Sequence, residues 1–160
     1  MKRPLIDVKK GTPVYLAEYR SKIKLVFSHT EGYWLIFRRQ IWCLEEDYIF
    51  RINQYLITFH KGLPSDGGSI PKLLRWLFDA WDEQWNNGVL PHDGVYAGEI
   101  FPKWFNDLIL VAGMEKASEP TRDVFWHSVH WFGWMTYLGH SKKNIERSRK
   151  FISIRIIEGE

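Results

Sequence analysis

Three short stretches of this chain hold most of the side chains able to do chemistry. The first is Ser65-Asp66-Gly67-Gly68-Ser69-Ile70-Pro71, the second is Pro91-His92-Asp93-Gly94-Val95-Tyr96, and the third is centred on Asp107. A histidine is the usual general base near neutral pH, and it needs one ring nitrogen free and the other held by an acceptor that fixes its tautomer. His92 is the candidate base and Asp107 the candidate acceptor. In a helix His92 and Tyr96 lie four apart on one face, while Asp93 is turned about 100° away and is left for another task. That task is to bind structural donors or a cation, the latter with Asp66 and the carbonyls around Gly67 and Gly68, an oxygen-rich set that suits Ca2+ or Mg2+. Zinc is less favoured, because His127 or His130 would have to join His92 from a distant helix without any recognised ligand spacing. Ser69 lacks the G-x-S-x-G surroundings of a nucleophile elbow and is expected to support the loop.

The same residues have structural uses. Asp66 can cap the turn or the helix that starts at Pro71, Gly67 and Gly68 can supply positive φ, and Ser69 can be an N-cap. His92 and Asp93 can compensate a helix dipole, and Tyr96 can simply bond a buried carboxylate. Asp107 sits among Trp104, Phe105, Leu108, Ile109 and Val111, where an acid needs a partner. His92, Tyr96 or Ser69 would each serve.

The elements that must position these groups are legible as two kinds. From about residue 12 to 60 short β-branched and aromatic runs predict strands, as in Lys22-Ile23-Lys24-Leu25-Val26-Phe27 and Tyr33-Trp34-Leu35-Ile36-Phe37. Tyr48 to Ile52 and Tyr55 to Phe59, separated by Asn53-Gln54, predict a tight hairpin. After Pro64 the pattern turns helical over about 70–138. It predicts a short helix from Pro71 to Phe78, a second over Val89 to Ala97, and a turn over Gly98 to Phe101. A third helix then starts at Pro102, and a fourth runs from about Glu119 to Leu138 with Gly139 to end it. A short turn between the second and third favours antiparallel packing, which brings His92 opposite Asp107. The fourth is apolar around most of its circumference, which implies burial or contact on two sides. The expected fold is α+β: an N-terminal antiparallel β-sheet with hairpins, then a bundle of about four helices, with residues 139–160 a basic tail in which Ser141 to Lys150 read as a solvated helix. One domain accounts for all 160 residues.

Composition limits the function classes. Forty-five per cent hydrophobic and 16% aromatic residues supply an ordinary core. Cys43 is the one cysteine, so no intramolecular disulfide or thiolate zinc cluster forms, and a reducing compartment is expected. No secretion signal is visible at Met1 to Lys10. A charge of +3 from 22 basic and 19 acidic residues gives no specific nucleic-acid signal. Asp123, His127 and His130 interrupt the apolar run of the fourth helix, which falls short of the roughly 20 residues of a membrane span and leaves only surface contact with a membrane.

The order of these motifs resembles an uncharacterised family of tailed-phage, prophage and bacterial proteins, whose pattern is T-D-G-A-S-I-P, then H-D-x-x-Y, then R-x-x-A-D. The resemblance covers about residues 45–138. Asp66, Ser69, His92, Asp93, Tyr96 and Asp107 match the pattern; Ser65, Gly68, Lys103 and Asn106 stand where it has Thr, Ala, Arg and Ala. It implies a phage-associated protein, in a host cytoplasm or a virion, of unassigned activity. The His92-Asp93-x-x-Tyr96 element is also similar, over a few residues, to phospholipase A2 helices. That likeness implies that His92 activates water, that Asp93 binds calcium with glycine-loop carbonyls, and that Asp107 orients His92. Such phospholipases carry disulfides that this chain cannot form. The sequence thus points to a divalent-cation-dependent hydrolase of ester, acyl or phosphoryl bonds. The alternative is a non-enzymatic virion or tail accessory, or a host-directed binding protein, in which the same residues hold helices together.

Overall fold

The computed structural model describes residues 4–31, 39–65, 83–114 and 119–157. Among the described residues six strands come first: β1 (Ala17–Tyr19), β2 (Leu25–Glu31), β3 (Arg39–Leu44), β4 (Tyr48–Ile52), β5 (Tyr55–Phe59) and β6 (Pro64–Ser65). Four helices follow among the described residues, α1 (Glu83–Ala97), α2 (Lys103–Gly113), α3 (Glu119–Gly139) and α4 (Lys142–Arg149), and a last strand, β7 (Ile152–Ile156), closes the order. The α+β class expected from the sequence is the class observed. The strands form two antiparallel sheets, ordered β1-β4-β5-β7 and β2-β3-β6.

Period-two alternation builds the central hairpin. Tyr48, Phe50 and Ile52 on β4 and Tyr55, Ile57 and Phe59 on β5 all face inward and are buried, with partly exposed residues between them. Ile52 pairs with Tyr55 across the two-residue Asn53-Gln54 connection, and Asn53 takes the left-handed conformation (φ 49°) that such a turn demands. Its side chain does a second job. Oδ1 accepts from the Tyr15 and Leu16 amides at 3.0 and 3.3 Å while Nδ2 donates to Pro13 O at 2.9 Å, tying down the approach to β1.

The inner face of the hairpin packs on Leu90 and Val95 of α1, on Phe105 and Ile109 of α2, and on Ile100 and Phe101 between them. Each such side chain contributes roughly 1.5–3 kcal/mol by leaving water. The link between α1 and α2 is a Schellman ending: Ile100 N donates to Val95 O, Glu99 N to Tyr96 O, and Glu99 occupies the left-handed position (φ 45°) usually given to glycine. The reversal sends α2 back along α1, as expected.

Several expectations change. The second helix begins at Glu83 and not near Val89, so Pro91 lies inside it and not in its first turn. The basic stretch Ser141 to Lys150 is the largely exposed helix expected, α4, but the chain beyond it returns to the sheet. Ser141 caps α4 by accepting from Asn144 N, and Ile152 to Ile156 then pair with β5 to extend the larger sheet. The alternation Ile152, Ile154, Ile156 carries that strand, and the lysines and arginines just before it mask the signal. The face of α3 that bears Trp131 and Leu138 is exposed in this structure, where burial or contact on two sides is expected. The strand expected over Tyr33 to Phe37 and the helix from Pro71 to Phe78 lie outside the described residues. No described helix is long and apolar enough to cross a membrane.

The crossing of α1 on α2 is close at Gly88, where an added Cβ would stand 2.6 Å from Leu110 O and 3.2 Å from Gly113 C. Backbone atoms cannot turn aside as a side chain can. Gly88→Ala gains about 1 kcal/mol of helix propensity, yet the overlap costs more, and a net loss of about 1–2 kcal/mol is expected. Urea unfolding of the two proteins checks this; a midpoint at or above wild type contradicts the close crossing.

Candidate active site

The antiparallel run of α1 and α2 brings His92, Asp93 and Tyr96 on one helix to Lys103 and Asp107 on the next. Asp107 is 1% exposed and His92 6%. A carboxylate so deeply buried must be paired, and Lys103, one turn earlier on α2 and also buried, provides the pair: its Nζ lies 2.7 Å from Asp107 Oδ2. The same ammonium donates to Val129 O at 3.1 Å and to His130 O at 3.5 Å, so it bridges α2 to α3. Three donors on one compact cation allow this division.

The second carboxylate oxygen of Asp107 faces the imidazole. Asp107 Oδ1 is 3.9 Å from His92 Nε2, and both atoms are buried with no hydrogen-bond partner among the described residues. On the other side of the ring, His92 Nδ1 is 3.4 Å from Asp93 Oδ1. Asp93 is less enclosed, with its side chain 25% exposed, and its Oδ2 accepts from Ser65 Oγ at 3.4 Å. β6 delivers Ser65 to this position by pairing Pro64 and Ser65 with Cys43 and Trp42 of β3. Asp66, Gly67, Gly68 and Ser69 follow immediately and lie outside the described residues.

Tyr96 sits under the ring, centroid to centroid 4.9 Å at 33°. Its hydroxyl donates to Gly133 O on α3 and not to Asp107. Burial raises its phenol well above the ordinary range, with the Asp107 charge adding to the effect, so the group is a neutral hydrogen-bond donor. Gly133 makes the approach possible: a Cβ there would lie 2.7 Å from the Tyr96 hydroxyl and 3.4 Å from Lys103 Nζ.

The structure therefore gathers His92, Asp93, Tyr96 and Asp107, four of the residues proposed from sequence. Of the two other histidines considered, His130 reaches the cluster, with Nδ1 3.7 Å from Asp107 Oδ2 and its ring stacked on Trp126. No group of three or more His, Cys, Asp and Glu side chains converges for a metal ion among the described residues. Lys103 and Gly133 were missed as site residues. Both had signals: a Lys four before an Asp on a helix is an i,i+4 pair, and a glycine inside an aromatic helix costs about 1 kcal/mol unless close packing requires it.

Burial opposes charge on His92, but the carboxylates of Asp107 and Asp93 outweigh it and lift the ring above its usual 6.5. A raised folded value stabilises the fold while the ring is protonated, so this contribution is complete below the unfolded value, near pH 6.5, and is lost as pH rises through the folded value. The stability difference between wild type and His92→Gln is expected to be largest at pH 5.5–6 and to shrink toward pH 9, as measured by chemical unfolding across that range. Lys103→Met leaves Asp107 buried without its cation, and a loss of about 3–5 kcal/mol is expected. A loss under about 1 kcal/mol, the scale of an exposed pair, would contradict the buried pairing.

No curated protein and no solved structure matches the chain. A family model does: residues 42–129, from the middle of β3 through β6, α1 and α2 into α3, match the family described as a protein of unknown function (DUF1353). That span holds every residue of the cluster apart from His130 and Gly133 and covers more than half of the chain, which belongs to this family.

Proposed function

We propose that the protein is a hydrolase in which His92 activates water against an ester, acyl or phosphoryl bond. The observation that carries this reading is the two-sided setting of His92, with an otherwise unbonded Asp107 oxygen facing Nε2 and the more open Asp93 side facing Nδ1. Asp107 orients the ring by attracting an Nε2–H, which leaves Nδ1 as the basic nitrogen. Water at the Nδ1 side gives its proton to His92 as its oxygen bonds to the carbonyl carbon or phosphorus, and the ring then passes that proton to the departing oxygen. Lys103 keeps Asp107 paired and aimed, and Tyr96 supports the ring face. In the same reading Asp93 and Asp66 hold Ca2+ or Mg2+ beside the mouth of the site, supported by the partial exposure of Asp93 and its link to Ser65 at the start of the glycine loop. The phage association rests on the motif order alone.

A second reading has a specific observation in its favour. His92 is 6% exposed and Asp107 is neutralised by Lys103, as befits a polar network that only pins three helices, while Trp131 of α3 is 71% exposed. In that reading the chain is a non-enzymatic phage virion or tail accessory, or a host-directed binding protein, and the exposed side of α3 makes contact.

Hydrolysis of p-nitrophenyl esters, phospholipid vesicles and bis-p-nitrophenyl phosphate separates the two. Wild type is expected to turn over one class, with activity falling about 100-fold or more in His92→Asn and sensitive to EDTA, restored by calcium or magnesium, and insensitive to both in Asp93→Asn. Turnover of none of the three, or turnover unchanged in a folded His92→Asn protein, favours the structural network.

A further inference from the structure

A second histidine is set between a carboxylate and a hydroxyl, on residues that no motif connects. His60 follows β5, Asp47 precedes β4, and Ser153 is the second residue of β7. His60 Nδ1 is 3.0 Å from Asp47 Oδ2, and His60 Nε2 is 3.0 Å from Ser153 Oγ. Sheet register brings them together: Tyr48 pairs with Phe59, and Phe59 with Ile152. Backbone bonds fix each part. His60 N donates to Phe151 O at 2.7 Å, and Lys61 N donates to Asp47 Oδ1 at 2.8 Å.

The order carboxylate, imidazole, hydroxyl has a chemical meaning. With Nδ1–H donated to Asp47, the tautomer leaves the Nε2 lone pair to accept the Ser153 proton, the assignment of roles found wherever a serine is activated by His and Asp. Asp47 is kept ionised, because the Lys61 amide and then the His60 ring hold its carboxyl below the ordinary range. The His60 and Asp47 side chains are 41% and 51% exposed, and Ser153 is exposed, so small acyl donors reach the hydroxyl directly. β7 is also an outer strand of its sheet. Because His60 N bonds Phe151 O and Ile157 N bonds Gln54 O, the odd-numbered residues of β7 exchange bonds with β5, and the Ile152 and Ile154 amides point away from it on either side of Ser153. Amides beside a nucleophile are suitable donors to a developing oxyanion.

We propose that Ser153 is an activated nucleophile, with His60 its general base and Asp47 the orienting carboxylate, and that it accepts acyl groups from small activated esters. The Ser153 hydroxyl proton passes to His60 Nε2 as Oγ bonds to the ester carbonyl carbon. The bond from that carbon to the alcohol oxygen then breaks, and His60 returns the proton to the departing oxygen. Water, deprotonated by His60 in turn, cleaves the acyl-serine, releasing the carboxylic acid and restoring the hydroxyl. No cation and nothing from the His92 cluster takes part.

Incubation of the full chain with a fluorophosphonate, followed by peptide mass spectrometry, tests this. The expected result is an adduct on Ser153 that forms at least about tenfold more slowly in His60→Gln and at the wild-type rate in His92→Asn. Asp47→Asn keeps an oxygen for the Lys61 amide, so it reads the relay even if His60→Gln fails to fold; slower labelling supports the proposal. No adduct on Ser153, an adduct only elsewhere, or an unchanged rate in folded His60→Gln or Asp47→Asn would overturn it.

Discussion

The buried ion pair of Lys103 and Asp107 is the constraint around which the helical half is arranged. A lone carboxylate 1% exposed is not tolerable as an ion, and replacing its partner by an apolar side chain would leave that charge uncompensated. The pair works because the ammonium divides its donors. One goes to Asp107 Oδ2 and the others toward the Val129 and His130 carbonyls, so the charge that satisfies α2 also fastens α3. Tyr96 adds a bond from α1 to α3 at Gly133, and the missing side chain there lets both Tyr96 and Lys103 come close. What remains is Oδ1 of Asp107, turned toward His92.

The β half holds this arrangement in place by apolar packing. Phe50, Ile57 and Phe59 from the hairpin press on Phe105 and Ile109 of α2 and on Val95 of α1, one residue before Tyr96. Gly94 lies at the contact, where a Cβ would stand 2.6 Å from the Phe59 ring. Thus the same two helices that carry the polar cluster on one side carry core contacts on another, and the distance between His92 and Asp107 is set by packing as much as by charge.

The hairpin over Tyr48 to Phe59, the α2 start at Pro102 and the extent of α3 were readable from the sequence, because period-two alternation, a proline and a terminal glycine are local signals. So was the meeting of His92 with Asp107, since a short helix connection forces antiparallel neighbours. The cation that pairs with Asp107 was not read. His92, Tyr96 and Ser69 were considered as partners of that acid, while Lys103 was noted only as a departure from a pattern, although its spacing from Asp107 was visible. Nor was β7 foreseen, because its pairing with β5 is a contact between distant parts of the chain and the basic helix before it dominated the composition. The Asp47, His60 and Ser153 set was invisible for the same reason: sheet register, and no motif, brings these residues together.

The central claim is that the carboxylates of Asp107 and Asp93 act on His92 from the two sides of its ring, raising its pKa so that the ring is charged in acid and becomes the neutral base only above that value. Nitrogen and ring-proton NMR of His92 across pH 4–10 tests it most directly. The account predicts titration above the usual 6.5, with both ring nitrogens protonated at pH 6, and a lower value in Asp107→Asn. A ring that is already neutral at pH 6, or a titration unmoved by Asp107→Asn, would show that burial governs His92 and that Asp107 does not act on it.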